Sequence, residues 1–126
     1  MTTRCENRTE DAPCLLDNRN LANLARRLRE SPEVVLAYGC EDQTGADALA
    51  VALLGIAPFG QERLLAHRAA LVAALGTERL ALIDLGTVPP QRQRQILQRG
   101  CLLYARECAL VGPFELGVLR AYLEVR

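Results

Sequence analysis

The chain has 126 residues, of which 50% are hydrophobic, and its 15 acidic side chains balance its 15 basic ones. This length and composition fit one globular domain with a single core, and the zero net charge excludes a globally basic nucleic-acid binder. All the basic residues are arginine and His67 is the sole histidine, which excludes a lysine nucleophile, a P-loop and a site built on two histidines.

The N-terminal part of the chain predicts a leader and then a helix. Residues 1–16 are polar with charges of both signs, so we expect a flexible leader, followed by a single domain over residues 17–126. Asp17 is a candidate N-cap, and Ser31-Pro32 ends the helix. Its apolar positions follow the helical period at Leu21, Leu24, Ala25 and Leu28, and its other face carries Arg19, Arg26, Arg27 and Arg29.

Two short apolar segments follow this helix and predict neighbouring strands. Residues 34–38 are apolar and partly β-branched and end at Gly39, residues 41–46 form a polar turn, and residues 48–54 are apolar again. The second segment is rich in alanine and leucine, so a helix is the alternative there.

The remaining elements alternate between helix and strand. Helices are predicted at residues 61–75, 90–98 and 113–125, and strands at residues 80–85 and 101–104. Gly76 is a typical C-cap for the first of these helices, and Pro89-Pro90 opens the second. The order α-β-β-α-β-α-β-α predicts a small mixed β-sheet with helices packed on it, an α/β domain.

The last helix is apolar on most of its sides. Such a helix is buried on more than one side, so we expect one side to meet a protein partner or a second copy of the chain. Packing within the domain is the alternative. The residues expected to make this contact are Phe114, Val118 and Tyr122.

The five cysteines are odd in number and form no C-x-x-C pair, which argues against a zinc site and a disulfide framework. We therefore expect thiols, with Cys101 and Cys108 in the core or at strand ends, and a cytoplasmic protein. The longest apolar stretch, residues 46–59, falls short of the roughly 20 residues that cross a bilayer, so no membrane span is expected. His67 is expected to be a surface or half-buried helix residue.

Residues 82–104 read LIDLGTVPPQRQRQILQRGCLLY. A (V)DLVDL-type strand, a Pro-Pro turn, a short helix, a glycine and a Leu-Leu-Tyr strand in this order resemble the minimal nucleotidyltransferases found beside HEPN partners in toxin–antitoxin pairs. A final helix with a Leu-x-x-Tyr-Leu run is similar too, here at residues 119–123. The earlier segment VVLAYGC resembles the family's strand that ends in an aromatic–Gly–Ser turn. The resemblance implies a nucleotidyltransferase (polymerase beta-like) fold.

In that family three carboxylates hold two Mg²⁺ ions that clamp the attacking and leaving oxygens of nucleotidyl transfer. Two of them form an Asp-x-Asp pair on one strand, where the side-chain period of two points both to one face, and the third comes from the neighbouring strand. The resemblance places Asp47, Leu49 and Ala81 at these positions, so only Asp47 is a retained ligand. Asp84 is offset by three residues from Ala81 and points to the opposite face.

The remaining site positions come from the same resemblance. The expected nucleotide-binding positions are Gly39, Cys40 and Gly45, with Cys40 replacing the family's serine, and cysteine is a poor hydrogen-bond donor. Glu41 and Asp42 lie in the turn after Gly39, where they could join Asp47 around a metal. One carboxylate alone should not hold two Mg²⁺ ions, since Mg²⁺ sheds water reluctantly.

The sequence leads to three hypotheses about function. The first is a catalytically degenerate nucleotidyltransferase-fold protein, without a cofactor, that acts as a partner-binding regulator or antitoxin-like component of a HEPN-type pair. The alternative is an active enzyme that uses ATP and Mg²⁺ to transfer AMP to a protein partner, with a site rearranged around Asp47, Glu41 and Asp42 and joined by Asp84. The third is RNA or nucleotide binding by the Arg/Gln-rich helix over residues 91–99, for which a solvated face is the expected interpretation.

Overall fold

The computed structural model describes residues 18–41 and 49–125. The predicted order of helices and strands is confirmed. Its elements are α1 (Asn18–Arg29), β1 (Val34–Glu41), β2 (Leu49–Gly55), α2 (Gln61–Leu75), β3 (Leu80–Asp84), α3 (Pro90–Arg99), β4 (Cys101–Ala105) and α4 (Val111–Val125), with a 3₁₀ turn at Cys108–Leu110 before α4. The leader expected over residues 1–16 and the cap at Asp17 lie outside the described residues.

The four strands form one mixed sheet in the order β3-β2-β1-β4. β1 pairs antiparallel with β2 on one side and with β4 on the other, while β2 and β3 run parallel. Parallel neighbours need a crossover connection, which α2 supplies between β2 and β3. The fold is therefore the small α/β domain that the sequence predicts.

Helices cover both faces of the sheet, and the alternation of side chains along β2 produces two core clusters. Val51 and Leu53 point toward α1 and α2, where they pack with Leu24, Leu28 and Leu71. Ala52 points to the other face, where the second cluster contains Leu36, Leu85, Ile96 and Val111. The period of two thus identifies the segment as a strand and excludes the helix alternative.

Two element boundaries differ from the sequence expectation by more than one residue. β1 does not end at Gly39 but continues to Glu41, because the backbone there finds partners on β2 as far as the Glu41–Leu49 pair. The last helix begins at Val111 rather than Pro113. Proline is tolerated in the first turn of a helix, where its missing N–H would have no intrahelical acceptor.

Contrary to the expectation from the sequence, the cysteines do not all carry free thiols. Cys101 and Cys108 are disulfide-bonded, so the expectation is wrong for these two residues. Cys40 retains its thiol. The count was uninformative because disulfide pairing depends on which cysteines the fold brings together, which spacing along the chain does not reveal.

His67 lies on α2 with its side chain 12% exposed, which confirms the half-buried position expected of it. Its Nε2 atom pairs with a carboxylate oxygen of Glu33, in the turn before β1. The ring also meets Phe59 edge-on, with 5.2 Å between the ring centroids. No helix within the described ranges is long and apolar enough to cross a membrane.

The carboxylate of Asp84 joins the end of β3 to the loop that follows β2. Its Oδ2 atom accepts a hydrogen bond from the backbone N–H of Phe59 at 2.9 Å, and its Oδ1 atom accepts one from Gly86 at 3.2 Å. Two backbone donors in separate loops therefore depend on one side chain.

Replacing Asp84 with alanine should lower the free energy of unfolding by about 1–3 kcal/mol, because both donors lose a charged acceptor. Urea denaturation measures this change. Glu78→Ala, at an exposed position before β3, is the matched control and should leave stability within about 0.5 kcal/mol of the original. Equal stability of the two variants would contradict a structural role for Asp84.

Candidate functional site

Four of the positions carried over from the nucleotidyltransferase family lie at one edge of the sheet, where β1 ends and β2 and β3 begin: Gly39, Cys40, Leu49 and Ala81. Leu49 is in register with Glu41 on β1 and with Leu80 on β3. Asp42, Gly45 and Asp47 lie outside the described residues, and of Glu41 the backbone alone is described. Their role as metal or nucleotide ligands therefore stays a prediction.

Leu49 and Ala81 do not share a face of the sheet. In parallel strands the paired residues point to the same side, and Leu49 pairs with Leu80, whereas Ala81 pairs with Ala50. Leu49 and Leu80 both belong to the core cluster under α1 and α2. The neighbour of Leu49 on β3 is thus Leu80 and not Ala81, the position that the family resemblance indicated. A shift of one residue along a strand turns the side chain to the other face of the sheet.

This edge does not fit a two-magnesium site within the described residues. Mg²⁺ takes hard oxygen ligands in a near-octahedral arrangement, and neither Leu49, Leu80 nor Ala81 provides one. No group of three His, Cys, Asp or Glu side chains suited to a metal ion occurs in residues 18–41 and 49–125. No catalytic step can be derived from these side chains.

Asp84 is not placed to complete such a site. It is in register with Leu53, four residues along β2 from Leu49, or about 13 Å at the rise of a strand. Both of its carboxylate oxygens already accept backbone hydrogen bonds. Asp84 is therefore not available as a metal ligand in the rearranged site of the alternative hypothesis.

Gly39 and Cys40 lie within a strand, where the resemblance implied a turn. A Cβ atom added at Gly39 would lie 2.8 Å from Cδ1 of Leu103, so the absence of a side chain lets β4 pack against β1. Cys40 pairs with Ala50 and packs against the cluster under α3 and α4. The expected turn is therefore wrong for these two residues, and their nucleotide-binding role stays a prediction.

The polar side chains of α3 are engaged within the domain to a greater extent than the expected solvated face. The guanidinium carbon of Arg94 lies 4.8 Å from the ring centroid of Tyr122 on α4. The side-chain amide of Gln93 donates to the carbonyl oxygen of Leu85 at 2.8 Å. These contacts give the helix an architectural role and weaken the RNA-binding hypothesis.

The partner contact expected at Phe114, Val118 and Tyr122 is corrected by the structure, because these three residues face the domain. Val118 is 4% exposed and Phe114 packs in the cluster under α3 and α4. Tyr38 of β1 donates a hydrogen bond to Glu115 on the same inward side at 2.8 Å.

A different side of α4 is exposed and apolar. Its large exposed side chains are Leu116 (51%), Leu119 (37%) and Leu123 (52%). Their spacing of three and four residues was visible in the sequence, but on a helix apolar all round it could not be told from the inward side. This leucine face is the surface that sequence reasoning missed.

The comparisons with known proteins concern structure alone, since no protein-family model and no curated protein matches the sequence. A chain of the toxin–antitoxin MntA–HepT superposes with a TM-score of 0.71 at 18% identity, covering 86% of this chain and 89% of that one. A chain of a tri-AMPylated Shewanella oneidensis HEPN toxin in complex with MNT antitoxin gives 0.70 at 18% identity, covering 84% and 86%. A toxin–antitoxin structure with AMP-PNP gives 0.70 at 17% identity, covering 84% and 89%.

These similarities extend over more than four fifths of each chain, so they concern the whole described domain rather than one motif. The protein therefore has the MNT nucleotidyltransferase-like fold, as the resemblance implied.

Replacing Gly39 with alanine should destabilise the protein by about 1 kcal/mol, because the new methyl group must displace the end of the buried Leu103 side chain. Gly117→Ala is the matched control: nothing lies within 4 Å of its added Cβ atom, and alanine favours the helix by roughly 0.5–1 kcal/mol. Urea denaturation should show opposite signs for the two variants. A Gly39→Ala protein of unchanged stability would contradict the packing role.

Proposed function

We propose that this protein is an antitoxin-like component that binds a HEPN-type protein and masks it without transferring a nucleotide. The observation that carries the partner role is the fold, which the chain shares with structures of toxin–antitoxin complexes. Masking requires a stable complementary surface and no chemistry. No cofactor is required. The cytoplasm stays an expectation, because the free thiols on which it rests are not found at Cys101 and Cys108.

The absence of transfer is supported by the edge of the sheet at Leu49. A transferase must neutralise the charge that develops on the phosphate, which two metal ions do in the two-metal mechanism. Leu49, Leu80 and Ala81 contribute no oxygen ligand there. Asp47 would then be the sole carboxylate at the positions implied by the family resemblance, which is too few for two Mg²⁺ ions.

Masking also places a requirement on the surface. A specific interface buries about 1,200–2,000 Å² in total, which a domain of this size supplies from the outer sides of two helices. The four helices of the described domain cover the two faces of the sheet, so a protein partner would meet the outer surfaces of the helices.

Co-expression of the chain with the HEPN-type protein of the same organism should restore growth that the HEPN-type protein alone arrests. A complex should be recovered, and intact mass spectrometry should find the HEPN-type partner without an added AMP. The Asp47→Asn variant should protect the cells as well as the original chain, because masking does not use this carboxylate.

Two results would contradict this proposal. An AMP adduct on the partner that disappears with Asp47→Asn would support the alternative, a transferase with a rearranged site. Failure to form a complex or to restore growth, with both proteins expressed and folded, would reject the partner role itself. Titration of the chain with ATP and Mg²⁺ gives an independent measurement, for which we expect no binding heat.

A further inference from the structure

An uncompensated row of arginines runs along the outer side of α1. Leu24 and Leu28 are buried against the sheet, which turns the opposite side of the helix to solvent. Arg19, Arg26 and Arg29 lie on that side and are exposed. Their spacing of seven and three residues places them in one line, since residues three, four and seven apart share a helix face. We call these three residues the arginine stripe.

The stripe residues form no ion pair within residues 18–41 and 49–125. The helix sequence NRNLANLARRLR contains no acidic residue, and the one nearby ion pair joins Arg27, outside the stripe, to Glu30. Arg26 donates a 3.3 Å hydrogen bond to the neutral side chain of Asn23. The chain as a whole is neutral, so the positive charge of the stripe comes from the placement of its arginines and not from an excess of basic residues.

Helix stability accounts for only part of the stripe. A positive charge in the last turn interacts favourably with the helix dipole, which gives Arg26 and Arg29 a structural role. Arg19 is the second residue of the helix, where the N–H groups point outward and a positive charge is unfavourable. Arg19 makes no ion pair in the described part of the chain, so its charge is open to an external anionic group.

The neighbouring helix supplies an apolar surface in the same layer. α2 packs on the same face of the sheet as α1. Its outer side exposes Leu65 (58%) and three alanines. These alanines are Ala66, Ala69 and Ala73. Arginine is enriched at protein–protein interfaces, so the part of this composition that indicates an interface is the arginine stripe, with the small apolar surface of α2 beside it.

A protein fits this layer better than a nucleic acid. Three arginines give a salt dependence of about −0.7 per phosphate on a single strand, a slope near −2, which corresponds to weak binding at physiological salt. Binding of single strands also uses exposed aromatic rings, and Phe59 and Tyr104 under this layer are 5% and 6% exposed.

We propose that the arginine stripe docks onto an acidic face of the protein partner. This inference rests on the proposed function and adds the surface and the charge of what it meets. The leucine face of α4 is the competing surface, but it carries no feature that indicates the chemistry of a partner.

Two double variants with equal charge changes test the inference. Arg19→Glu/Arg26→Glu reverses two charges of the stripe, and Arg99→Glu/Arg120→Glu reverses two exposed arginines on α3 and α4. Association with the HEPN-type partner is measured by surface plasmon resonance at low and high salt, after circular dichroism and urea denaturation have established that both variants fold.

We expect the stripe variant to associate at least tenfold more slowly than the original chain at low salt, because charges at an interface act mainly on the association rate. The original chain should lose most of this advantage at high salt. The α3/α4 variant should bind like the original, although it carries the same net charge.

Each other outcome has a defined meaning. If the original chain does not bind the partner, the proposed function fails and this inference fails with it. If it binds and the stripe variant binds equally well, the inference alone is overturned. Loss of binding in the α3/α4 variant instead would assign the partner to the leucine face. Salt-sensitive binding of a labelled single-stranded RNA that the stripe variant loses would overturn the protein partner in favour of RNA.

Discussion

The pairing of β1 on both of its edges is the constraint on which the rest of the structure depends. The strand pairs with β2 along its length and with β4 over residues 36–39, and its side chains supply both core clusters. At Gly39 the two strands leave no room for a side chain, since Leu103 of β4 occupies the space that it would need. Gly39 and Cys40, which the family resemblance assigns to nucleotide binding, therefore lie within a paired strand of the sheet.

The order and type of the elements could be predicted from the sequence because local signals agree with the final packing. Gly76 ends α2 with a left-handed backbone conformation, and Pro90 starts α3, so those limits were visible in the residues themselves. The face of Ala81 could not be predicted, because it depends on the register between β2 and β3. The inward side of α4 and the disulfides at Cys101 and Cys108 likewise depend on tertiary contacts rather than on spacing along the chain.

At the candidate site, too, the order of the strands along the chain could be predicted from the sequence, whereas the surroundings of their side chains could not. An edge built from Leu49 and Leu80 extends the hydrophobic core to the end of the strands, and both leucines pack under α1 and α2. A catalytic edge would require the opposite, with ionised side chains in partial contact with water and fixed by other polar groups. The described part of the edge contributes packing, and the arginine stripe of α1 lies in the helix layer that this packing supports.

The lengths of the strands have a consequence for how this domain can meet other molecules. The two outer strands of the sheet, β3 and β4, have five residues each, whereas the inner strands β2 and β1 have seven and eight. A short outer strand offers few free backbone groups to an incoming chain, so extension of the sheet by a partner strand is disfavoured. Recognition is thereby directed away from backbone pairing and toward side chains on the helices, where single charge changes can alter the choice of partner while the sheet stays intact.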